Sequence, residues 1–562
     1  MATNSTRSGS RKKARAKERA TPNPKVNAPP GDAIPENVWR IGIVVIFLIA
    51  AGLRLYDLNL VPLHHDEGVN GNFLVRLVRD GYYQYDPQNY HGPTLYYFSA
   101  LIPWTVKLLF GSAARDSYGL TTFNIRLVTV IFGLATIGLV FMLRRRLGTV
   151  ATLAAGLLLA VSPGAVYLSR YFIHESLFVF FTVGIVVAAV KLYDDRNPSQ
   201  LILISASAAL LFATKETAMI SVGVLLIALA LTLVYMRFNN KPSPISNRRR
   251  GRETGPFSAF IEELGGTTNV GYYLGIGIVV FLALYLLFYS SFFTNSKGIT
   301  DSLQTFAVWT KTGRQAHVHP ADMYITWMVK LEAPLLFLGA IGAGTVVLKP
   351  KNSFALFCAL WAFGLLAAYS LIPYKTPWLM LNFVVPLALI AGYAIQAIYD
   401  MDHGQLRLAS AIFVVAIGIA TYQSIDLNFI NYDNDDQKYV YVYAHSKREL
   451  LDLVKQVEAI AKENGGPTTG ITIVSPDYWP LPWYFRNFTR VGYFGRMAAS
   501  SEPIIIANEN QKEEVEQNFG ELYRQVPSQS PGGSFELRPG VKLLLYVRRS
   551  GFMPETSSPQ NR

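Results

Sequence analysis

Cysteine is nearly absent from this chain. The one cysteine among 562 residues, Cys358, lies inside an apolar run, so no internal disulfide can form and redox chemistry is disfavoured. Charge is also scarce, because only 16% of the residues are charged, against about 25% in soluble domains. The chain has no Gly-rich nucleotide-binding loop and no internal repeat. The low content of charge favours a membrane protein over a soluble one.

Long apolar runs, in contrast, are abundant. Hydrophobic residues make up 51% of the chain. Runs of roughly 16 to 24 apolar residues recur from Ile41 to Tyr422, and about 20 residues cross the hydrocarbon core of a bilayer. The sequence therefore predicts a polytopic α-helical membrane protein with about 11 transmembrane helices. The predicted spans are 38–56, 122–143, 149–168, 176–192, 199–214, 217–236, 269–290, 331–348, 353–372, 377–399 and 407–424.

The segment Thr94–Phe110 decides the predicted orientation. It is apolar enough to cross a membrane, but it is short and contains Pro103 and Lys107. If it crossed, Arg144–Arg146 would face outwards, against the positive-inside rule. As an outer juxtamembrane helix it leaves these arginines in the cytoplasm, which is the arrangement we predict. The basic residues that then share their side are Arg196, Arg248–Arg250 with Arg252, Lys349, Lys351 and Arg407.

In this orientation the unusual polar motifs fall on the outer side. They contain six of the eight histidines, and polar residues at transmembrane boundaries mark functional sites. The sequence therefore predicts an outward-facing active site at the plasma membrane. The motifs are His64–Glu67, Tyr90–Pro93, Ser169–Tyr171 with His174-Glu175, Thr214–Glu216, Arg314–Pro320 and Pro373–Lys375.

The two ends of the chain differ from this membrane part. We predict a disordered basic cytoplasmic tail at 1–37, a transmembrane domain at 38–424, a small extracytoplasmic α/β domain at 425–550 and a disordered tail at 551–562. For the tail at 1–37, contact with nucleic acid is the weaker alternative to contact with anionic lipid. Helices are expected at Ser446–Glu463 and Gln511–Phe519, and strands at Ile471–Val474, Pro503–Ala507 and Val541–Val547. The aromatic run Tyr478–Phe485 fits either stacking on sugar rings or resting at the membrane interface.

Asp66 and Glu67 are the strongest catalytic candidates. They follow the first span and precede an amphipathic stretch, so we expect Asp66 at a helix N-terminus, where a negative charge is stabilised. A helix cap without further function would also explain Asp66. Adjacent carboxylates preceded by His64 and His65 favour a general base or a metal ligand.

Other outer residues have structural alternatives. His91 fits either a turn before Pro93 or a ligand for an anion at the start of the next helix. Arg170 and Glu175 fit either a functional site or a structural clamp between the two.

Two lysines also have structural alternatives to a functional role, and one pair of histidines does not fit a metal site. Lys215 with Glu216 fits either a functional site or a tight polar hairpin. Lys375 fits either a cation for an anionic ligand or a snorkelling side chain. His317 and His319 are two residues apart, which does not suit a zinc signature.

The motifs resemble those of the GT-C glycosyltransferases. Asp66-Glu67 after the first span, Arg126 opening a span that ends in Arg144–Gly148, Ser162-Pro163 with Ser169-Arg170, and Thr214-Lys215 are similar to dolichyl-phosphate-mannose-protein mannosyltransferases and aminoarabinose transferases. The doubled histidine before Asp66, Tyr90–Pro93 and Trp479–Tyr484 look more like the prokaryotic flippase activity-associated glycosylation proteins. The resemblance covers roughly residues 40–550.

This resemblance implies inverting transfer of a hexosyl or pentosyl group from a polyprenyl- or dolichyl-phosphate-linked donor to a glycan or protein acceptor. Asp66 would be the base, and Glu67 and Glu175 the further acidic residues of the site. Gly92 stands where aminoarabinose transferases carry lysine, so either His91 supplies that cation or the phosphate site differs. A divalent cation, magnesium or manganese, would be an optional cofactor, and nucleic acid is not expected as a partner. The substrate-binding residues would be His65, His91, Arg170, Lys215 and Lys375.

The main alternative is a flippase, transporter or non-catalytic partner in a lipid-linked glycan pathway. Transporters place polar groups at mid-membrane on broken helices and often contain inverted repeats. In this chain the polar groups fall at the outer interface and no repeat is visible, which favours catalysis.

Overall fold

The computed structural model describes residues 34–88, 91–111, 119–239, 256–315, 317–401, 403–529 and 532–549. Within these ranges a bundle of helices is followed by a small α/β region, so the predicted fold class is confirmed. Four predictions concern residues outside these ranges: the tails before 34 and after 549, the basic cluster 248–252, and Tyr90.

The bundle is built from eighteen helices among the described residues. The first nine are α1 (Glu36–Leu55), α2 (His65–Arg79), α3 (Thr94–Phe110), α4 (Thr122–Phe141), α5 (Arg144–Leu147), α6 (Thr149–Val161), α7 (Pro163–Ser169), α8 (Glu175–Asp195) and α9 (Gln200–Phe212). The others are α10 (Ala218–Asn239), α11 (Pro256–Glu263), α12 (Gly266–Tyr289), α13 (Lys297–Gln315), α14 (Met323–Leu331), α15 (Ala333–Leu348), α16 (Ser353–Leu371), α17 (Leu381–Tyr399) and α18 (His403–Ile425).

The predicted spans coincide with apolar helices. Among the described residues, eight helices are long and apolar enough to cross a membrane, or ten spans if each of two bent pairs counts as one. The bent pairs are α6 with α7 and α14 with α15, and the shorter apolar helix α9 supplies an eleventh segment. The lengths follow from the bilayer, because about 20 residues of helix span its core.

Ion pairs hold Arg144–Arg146 at one end of the bundle, which we name the arginine end. Arg144 at the start of α5 pairs with Glu36 at the start of α1 at 2.7 Å. Arg145 pairs with Asp195 at the end of α8 at 2.8 Å. The opposite end, which carries α2, is named the site end. The cluster Arg144–Arg146 therefore lies at the end of the bundle where α1 begins and α8 ends.

Helix α3 begins and ends near the site end. Its first residue, Thr94, donates its backbone N–H to Ala213 O at 3.2 Å, beyond the end of α9. Gly119, which precedes α4, packs against Val106 in the last turns of α3. The next helix then starts at Thr122, whose hydroxyl accepts from Trp483 of the C-terminal region at 3.3 Å. The chain thus enters and leaves α3 at one end of the bundle, as expected of a helix that does not cross.

Two spans are broken, and one buried carboxylate joins the breaks. Pro163 separates α6 from α7 with a bend of 61°, since proline cannot donate the helical hydrogen bond. A bend of 113° separates α14 from α15 at Glu332. The Glu332 carboxylate accepts from Ser162 Oγ and from Gly164 N, each at 2.8 Å. This contact fixes the two bent spans against each other at the site end.

The C-terminal region is a small α/β unit. Its strands are β1 (Ile471–Ile473), β2 (Val491–Tyr493), β3 (Ile504–Asn508), β4 (Tyr523–Val526), β5 (Phe535–Arg538) and β6 (Val541–Arg548). Strand order is β2-β1-β3-β6-β4, with β5 also paired to β6. The β1–β2 and β1–β3 pairs are parallel and the pairs of β6 are antiparallel. The helices are α19 (Glu449–Glu463), α20 (Leu481–Tyr484) and α21 (Lys512–Phe519), so both predicted helices and all three predicted strands are present.

This α/β unit docks on α2 through the aromatic run. Trp483 is buried, and a Cβ added to Gly71 would lie 2.6 Å from its ring. Tyr484 Oη accepts the backbone N–H of Leu63 at 2.8 Å. For Trp483 and Tyr484, both sequence interpretations are therefore wrong, since these rings form the joint between the α/β unit and the bundle.

Candidate active site

The site end contains a cavity of about 510 Å³. Segments far apart in sequence form its wall: the start of α2, the residues before α3, the start of α8, the loops that follow α13 and α16, and the chain after α18. Its ionisable side chains from the bundle are His64, His65, Asp66, His91, Glu175 and His317. All six come from motifs that the sequence singled out, and His317 belongs to the motif Arg314–Pro320.

Asp66 presents its carboxylate to this cavity. The cap of α2 is His64, whose Nδ1 accepts the backbone N–H of Asp66 at 3.0 Å while its Nε2 donates to Tyr443 O at 3.1 Å. The interpretation of Asp66 as a helix cap is therefore wrong. Its carboxylate is 42% exposed and lies 3.7 Å from His64 Nδ1. Because this Nδ1 accepts the hydrogen bond from the Asp66 N–H, it has no proton to donate to the carboxylate. No hydrogen bond to this carboxylate comes from the described residues.

Glu67 points away from the cavity. It is fully buried, and its two oxygens accept four hydrogen bonds. The donors are Arg126 Nη2 at 2.6 Å, Arg126 Nε at 2.8 Å, Phe172 N at 2.8 Å and His64 N at 3.0 Å. The His64 N–H belongs to the cap of α2, whereas the other three donors come from α4 and the loop before α8. Glu67 therefore fixes the start of α2 against α4 and that loop.

Two short segments run antiparallel beside the cavity and place the next candidates. Gly92 N donates to Thr214 O at 3.0 Å, and His91 pairs with Lys215 in the same ladder. A Cβ on residue 92 would lie 2.0 Å from Ala213 O. Only glycine allows this approach, which gives a physical reason for Gly92 where aminoarabinose transferases carry lysine.

This ladder carries one ion pair and one hydrogen bond between an imidazole and a carboxylate. Lys215 Nζ pairs with Glu175, and both side chains are buried. His91 Nδ1 lies 3.0 Å from Glu216 Oε2, with the carboxylate buried and the imidazole 28% exposed. Charges that are buried in this way are stable only when paired. The ladder therefore brings the His91 imidazole to the cavity wall and places the Lys215 ammonium behind Glu175, which also lines the cavity.

Two other histidines are neutral because they are buried. Burial lowers the pKa of His65 below its usual value, since it disfavours the imidazolium. Burial also lowers the pKa of His174 well below its usual value. The His174 ring lies 5.0 Å from that of His91, and its Nε2 donates to Gly92 O at 3.0 Å. His174 thus binds the Gly92 segment of the ladder, while the adjacent Glu175 binds Lys215 of the other segment.

Comparisons with known proteins identify the fold of this chain. The profile of the dolichyl-phosphate-mannose-protein mannosyltransferase family matches residues 101–245, less than half of the chain. ArnT from Cupriavidus metallidurans, solved bound to undecaprenyl phosphate, is 13% identical and has a TM-score of 0.59 over 91% of this chain and 98% of that chain. This chain has the GT-C glycosyltransferase fold. The oligosaccharyltransferase AglB from Archaeoglobus fulgidus, solved with an inhibitory peptide and a dolichol-phosphate, has a TM-score of 0.50 at 13% identity, over 92% and 75% of the two chains. No curated protein matches the sequence.

Arg170 lies outside the cavity of this GT-C fold. Its guanidinium donates to backbone carbonyls that follow or end α1, including Asp57 O at 2.8 Å and Arg54 O at 3.2 Å. It also lies over the ring of Phe429 at 4.7 Å. Glu175 is occupied by Lys215, so the expected clamp between Arg170 and Glu175 does not form. Arg170 closes the C-terminus of α1 and was wrongly grouped with substrate-binding residues.

Lys375 is buried next to the cavity rather than in its wall. Its Nζ donates to Ile372 O at 2.5 Å and to His319 O at 3.4 Å. It forms no ion pair with any described residue. The adjacent Tyr374 lines the cavity, so this ammonium lies one residue behind the wall without a counter-ion in the described chain.

Sequence reasoning missed the residues that the α/β unit and the loops contribute to the wall. Arg538 and Tyr443 line the cavity from the C-terminal part of the chain, and Trp378 lines it from the start of α17. His317, set aside as a metal ligand, lies 2.9 Å from Tyr443 Oη through its Nδ1. His317 belongs to the motif Arg314–Pro320, but no local pattern marks Arg538, Tyr443 or Trp378, because each reaches the site only through the packing of distant segments.

The side chains around Asp66 do not suit a resident divalent cation. In the described part of the chain, no three His, Cys, Asp or Glu side chains form a group that could hold a metal ion. Glu67, the neighbouring carboxylate, is turned towards Arg126. A magnesium or manganese ion in its usual coordination prefers several oxygen ligands, and the described residues do not assemble them here.

Proposed function

We propose that this protein is a membrane glycosyltransferase that uses a polyprenyl- or dolichyl-phosphate-linked sugar as donor. The acceptor is a hydroxyl group on a glycan or protein at the outer face of the plasma membrane. The observation that carries this proposal is the carboxylate of Asp66, which faces the cavity without a hydrogen bond from the described chain. The likeness to ArnT and AglB, whose structures hold undecaprenyl phosphate and dolichol-phosphate, supports a lipid-phosphate donor.

Asp66 is the proposed base. As the acceptor oxygen attacks the anomeric carbon, its proton passes to the Asp66 carboxylate. The bond between the anomeric carbon and the phosphate oxygen breaks with inversion, and the lipid phosphate leaves with the bonding electrons. General base catalysis of this kind contributes roughly 10²–10⁴-fold. Glu67 is a positioning residue in this scheme, because its oxygens hold Arg126 and the start of α2.

The leaving phosphate is bound by basic side chains at and behind the ladder. His91 lines the cavity, Lys215 lies behind Glu175, and Lys375 lies behind Tyr374. A preorganised cation in a site with little water stabilises developing negative charge more than water does. Glu175 and Glu216 orient Lys215 and His91 respectively.

His65 lines the same cavity as a neutral imidazole, which suits hydrogen bonds to sugar hydroxyls. The site thus combines a base, neutral hydrogen-bonding groups and cations for the leaving group. A transfer assay with both hexose and pentose donors identifies the transferred group.

A transfer assay on the purified full-length protein tests the proposal. The donors are radiolabelled polyprenyl-phosphate hexoses and pentoses, and the acceptors are extracted cell-envelope glycans and glycoproteins. We expect label to move from the lipid to an acid-stable product. Binding of a polyprenyl phosphate without transfer from any donor would instead favour the flippase or partner alternative.

Lys215 provides a prediction about donor binding. Lys215→Ala should weaken the affinity for polyprenyl phosphate about 10-fold or more, since a hydrogen bond to a charged group contributes about 1.5–3 kcal/mol. The affinity is measured by titration of the protein in nanodiscs.

A double variant is the control, because Lys215→Ala alone leaves Glu175 buried without its partner. Lys215→Ala with Glu175→Gln removes both charges. If this folded double variant binds polyprenyl phosphate as the wild type does, Lys215 only closes a structural hairpin.

The orientation gives a second prediction. We expect the site end outside and the arginine end in the cytoplasm, since positive residues stay in the cytoplasm. In a Cys358→Ala background, an impermeant maleimide applied to intact cells should label Asp66→Cys and spare Arg145→Cys. Both positions are partly exposed, and permeabilised cells should label both. The opposite pattern in intact cells contradicts the proposed orientation.

A further inference from the structure

We propose that a second cleft at the site end binds a sugar ring of the acceptor, which makes the acceptor a glycan. The cleft encloses about 320 Å³ and is lined by α2, the loop 82–87 and the start of α13. This inference deepens the proposed function, since it names the acceptor class of the same enzyme.

The wall of the cleft is aromatic and fixed. Tyr83 and Tyr85 are buried. Tyr83 packs on Tyr96 at 5.0 Å, and Tyr85 packs on Tyr289 at 5.0 Å between ring centroids. Tyr82 stands at the rim with 54% of its surface exposed. Rings held in this way offer a preorganised surface at little entropic cost.

Asp301 supplies the specific polar group. The residue is only 3% exposed and yet lines the cleft. No hydrogen bond or ion pair to its carboxylate comes from the described residues. A buried carboxylate without a partner is costly, so a ligand that donates hydrogen bonds into the cleft would relieve this cost.

The remaining charges indicate the chemical class of that ligand. Arg76 and Lys297 line the cleft together with Asp86 and Asp301, so basic and acidic groups balance and no anion is favoured. Hydroxyl groups of a sugar ring donate to carboxylates and accept from basic side chains, while the apolar face of the ring covers an aromatic side chain. An apolar ligand would leave Asp301 unpaired.

The cleft adjoins the cavity of Asp66. Asp86 lines the cleft and Gln88 lines the cavity. These residues are two positions apart in the chain, so their Cα atoms are at most about 7 Å apart. Helix α2 joins the same two spaces, since Asn70 faces the cavity and Phe73 the cleft. A glycan held in the cleft can therefore place a neighbouring sugar near Asp66.

Binding of simple glycosides tests the proposal. The probes are methyl α-mannopyranoside, methyl β-glucopyranoside and methyl β-galactopyranoside, titrated onto full-length protein in nanodiscs by saturation-transfer NMR. At least one glycoside should bind the wild type. Asp301→Asn and Tyr82→Ala should each weaken binding about 10-fold, which corresponds to about 1.4 kcal/mol. The first variant loses a charge-assisted hydrogen bond and the second loses an aromatic contact.

Matched controls separate this cleft from the rest of the surface. Asp322→Asn changes an exposed aspartate before α14, and Tyr272→Ala changes an exposed tyrosine on α12, and both should bind as the wild type does. If Asp301→Asn fails to fold, Tyr82→Ala at the rim decides alone. Binding lost in Asp66→Asn but kept in both cleft variants places the ring in the main cavity and overturns the proposal.

Two outcomes separate this inference from the proposed function. A wild type that transfers sugar but binds none of the glycosides overturns the glycan cleft and leaves the transferase. A wild type that binds a glycoside through Asp301 and Tyr82 but transfers no sugar overturns the transferase and leaves the cleft as a sugar-binding site.

Discussion

Replacement of Asp66 by asparagine should lower the rate of sugar transfer by about 10²-fold or more. Asparagine keeps the shape of the side chain but cannot take a proton from the acceptor hydroxyl. The substitution leaves the start of α2 intact, because the contact there joins the backbone N–H of residue 66 to His64 Nδ1. We therefore expect unchanged expression and melting temperature. The measurement is kcat with saturating donor and acceptor on purified protein.

Asp57→Asn is the matched control for this variant. Asp57 is exposed after α1 at the same end of the bundle and has a positive φ of 41°, a conformation that asparagine also tolerates. Its transfer rate should equal that of the wild type. Full activity of Asp66→Asn would remove the base from the mechanism and favour the flippase or partner alternative.

Replacement of Arg126 by methionine should destabilise the protein by about 3–5 kcal/mol, the usual cost of a buried carboxylate that loses its partner. Glu67 and Arg126 are both buried, and Arg126 donates to both carboxylate oxygens of Glu67. Arg126 also donates to Leu58 O at 2.7 Å and Val61 O at 2.9 Å, so the loop before α2 loses its anchor as well. The measurement is the melting temperature of the solubilised protein.

Two variants make this result specific to burial. Arg145→Met breaks an exposed pair with Asp195, and exposed pairs contribute little, so its melting temperature should stay near that of the wild type. Glu67→Gln combined with Arg126→Met removes both charges and should recover part of the loss. An Arg126→Met protein as stable as the wild type would show that Glu67 is not held by this pair.

The adjacent carboxylates of Asp66 and Glu67 show what could and could not be predicted from the sequence. Both were predicted as catalytic, because a pair of acids after a span has the same appearance whichever one faces the site. The structure separates them through contacts from distant residues: Arg126 and Phe172 bind Glu67, whereas His64 caps α2 and leaves the Asp66 side chain to the cavity. Their different roles under the proposed function follow from this packing.

The sequence by itself determined the helical membrane architecture, together with two of the three helices and three of the six strands described in the C-terminal region. These features depend on local properties, namely the length of apolar runs and short-range periodicity. Only the tertiary structure decided that Arg170 closes α1, that Lys215 pairs with Glu175, and that Arg538 and Tyr443 reach the cavity. Such contacts join residues separated by tens to hundreds of positions, and their partners are chosen by packing and by the need to pair buried charges, which no local pattern records.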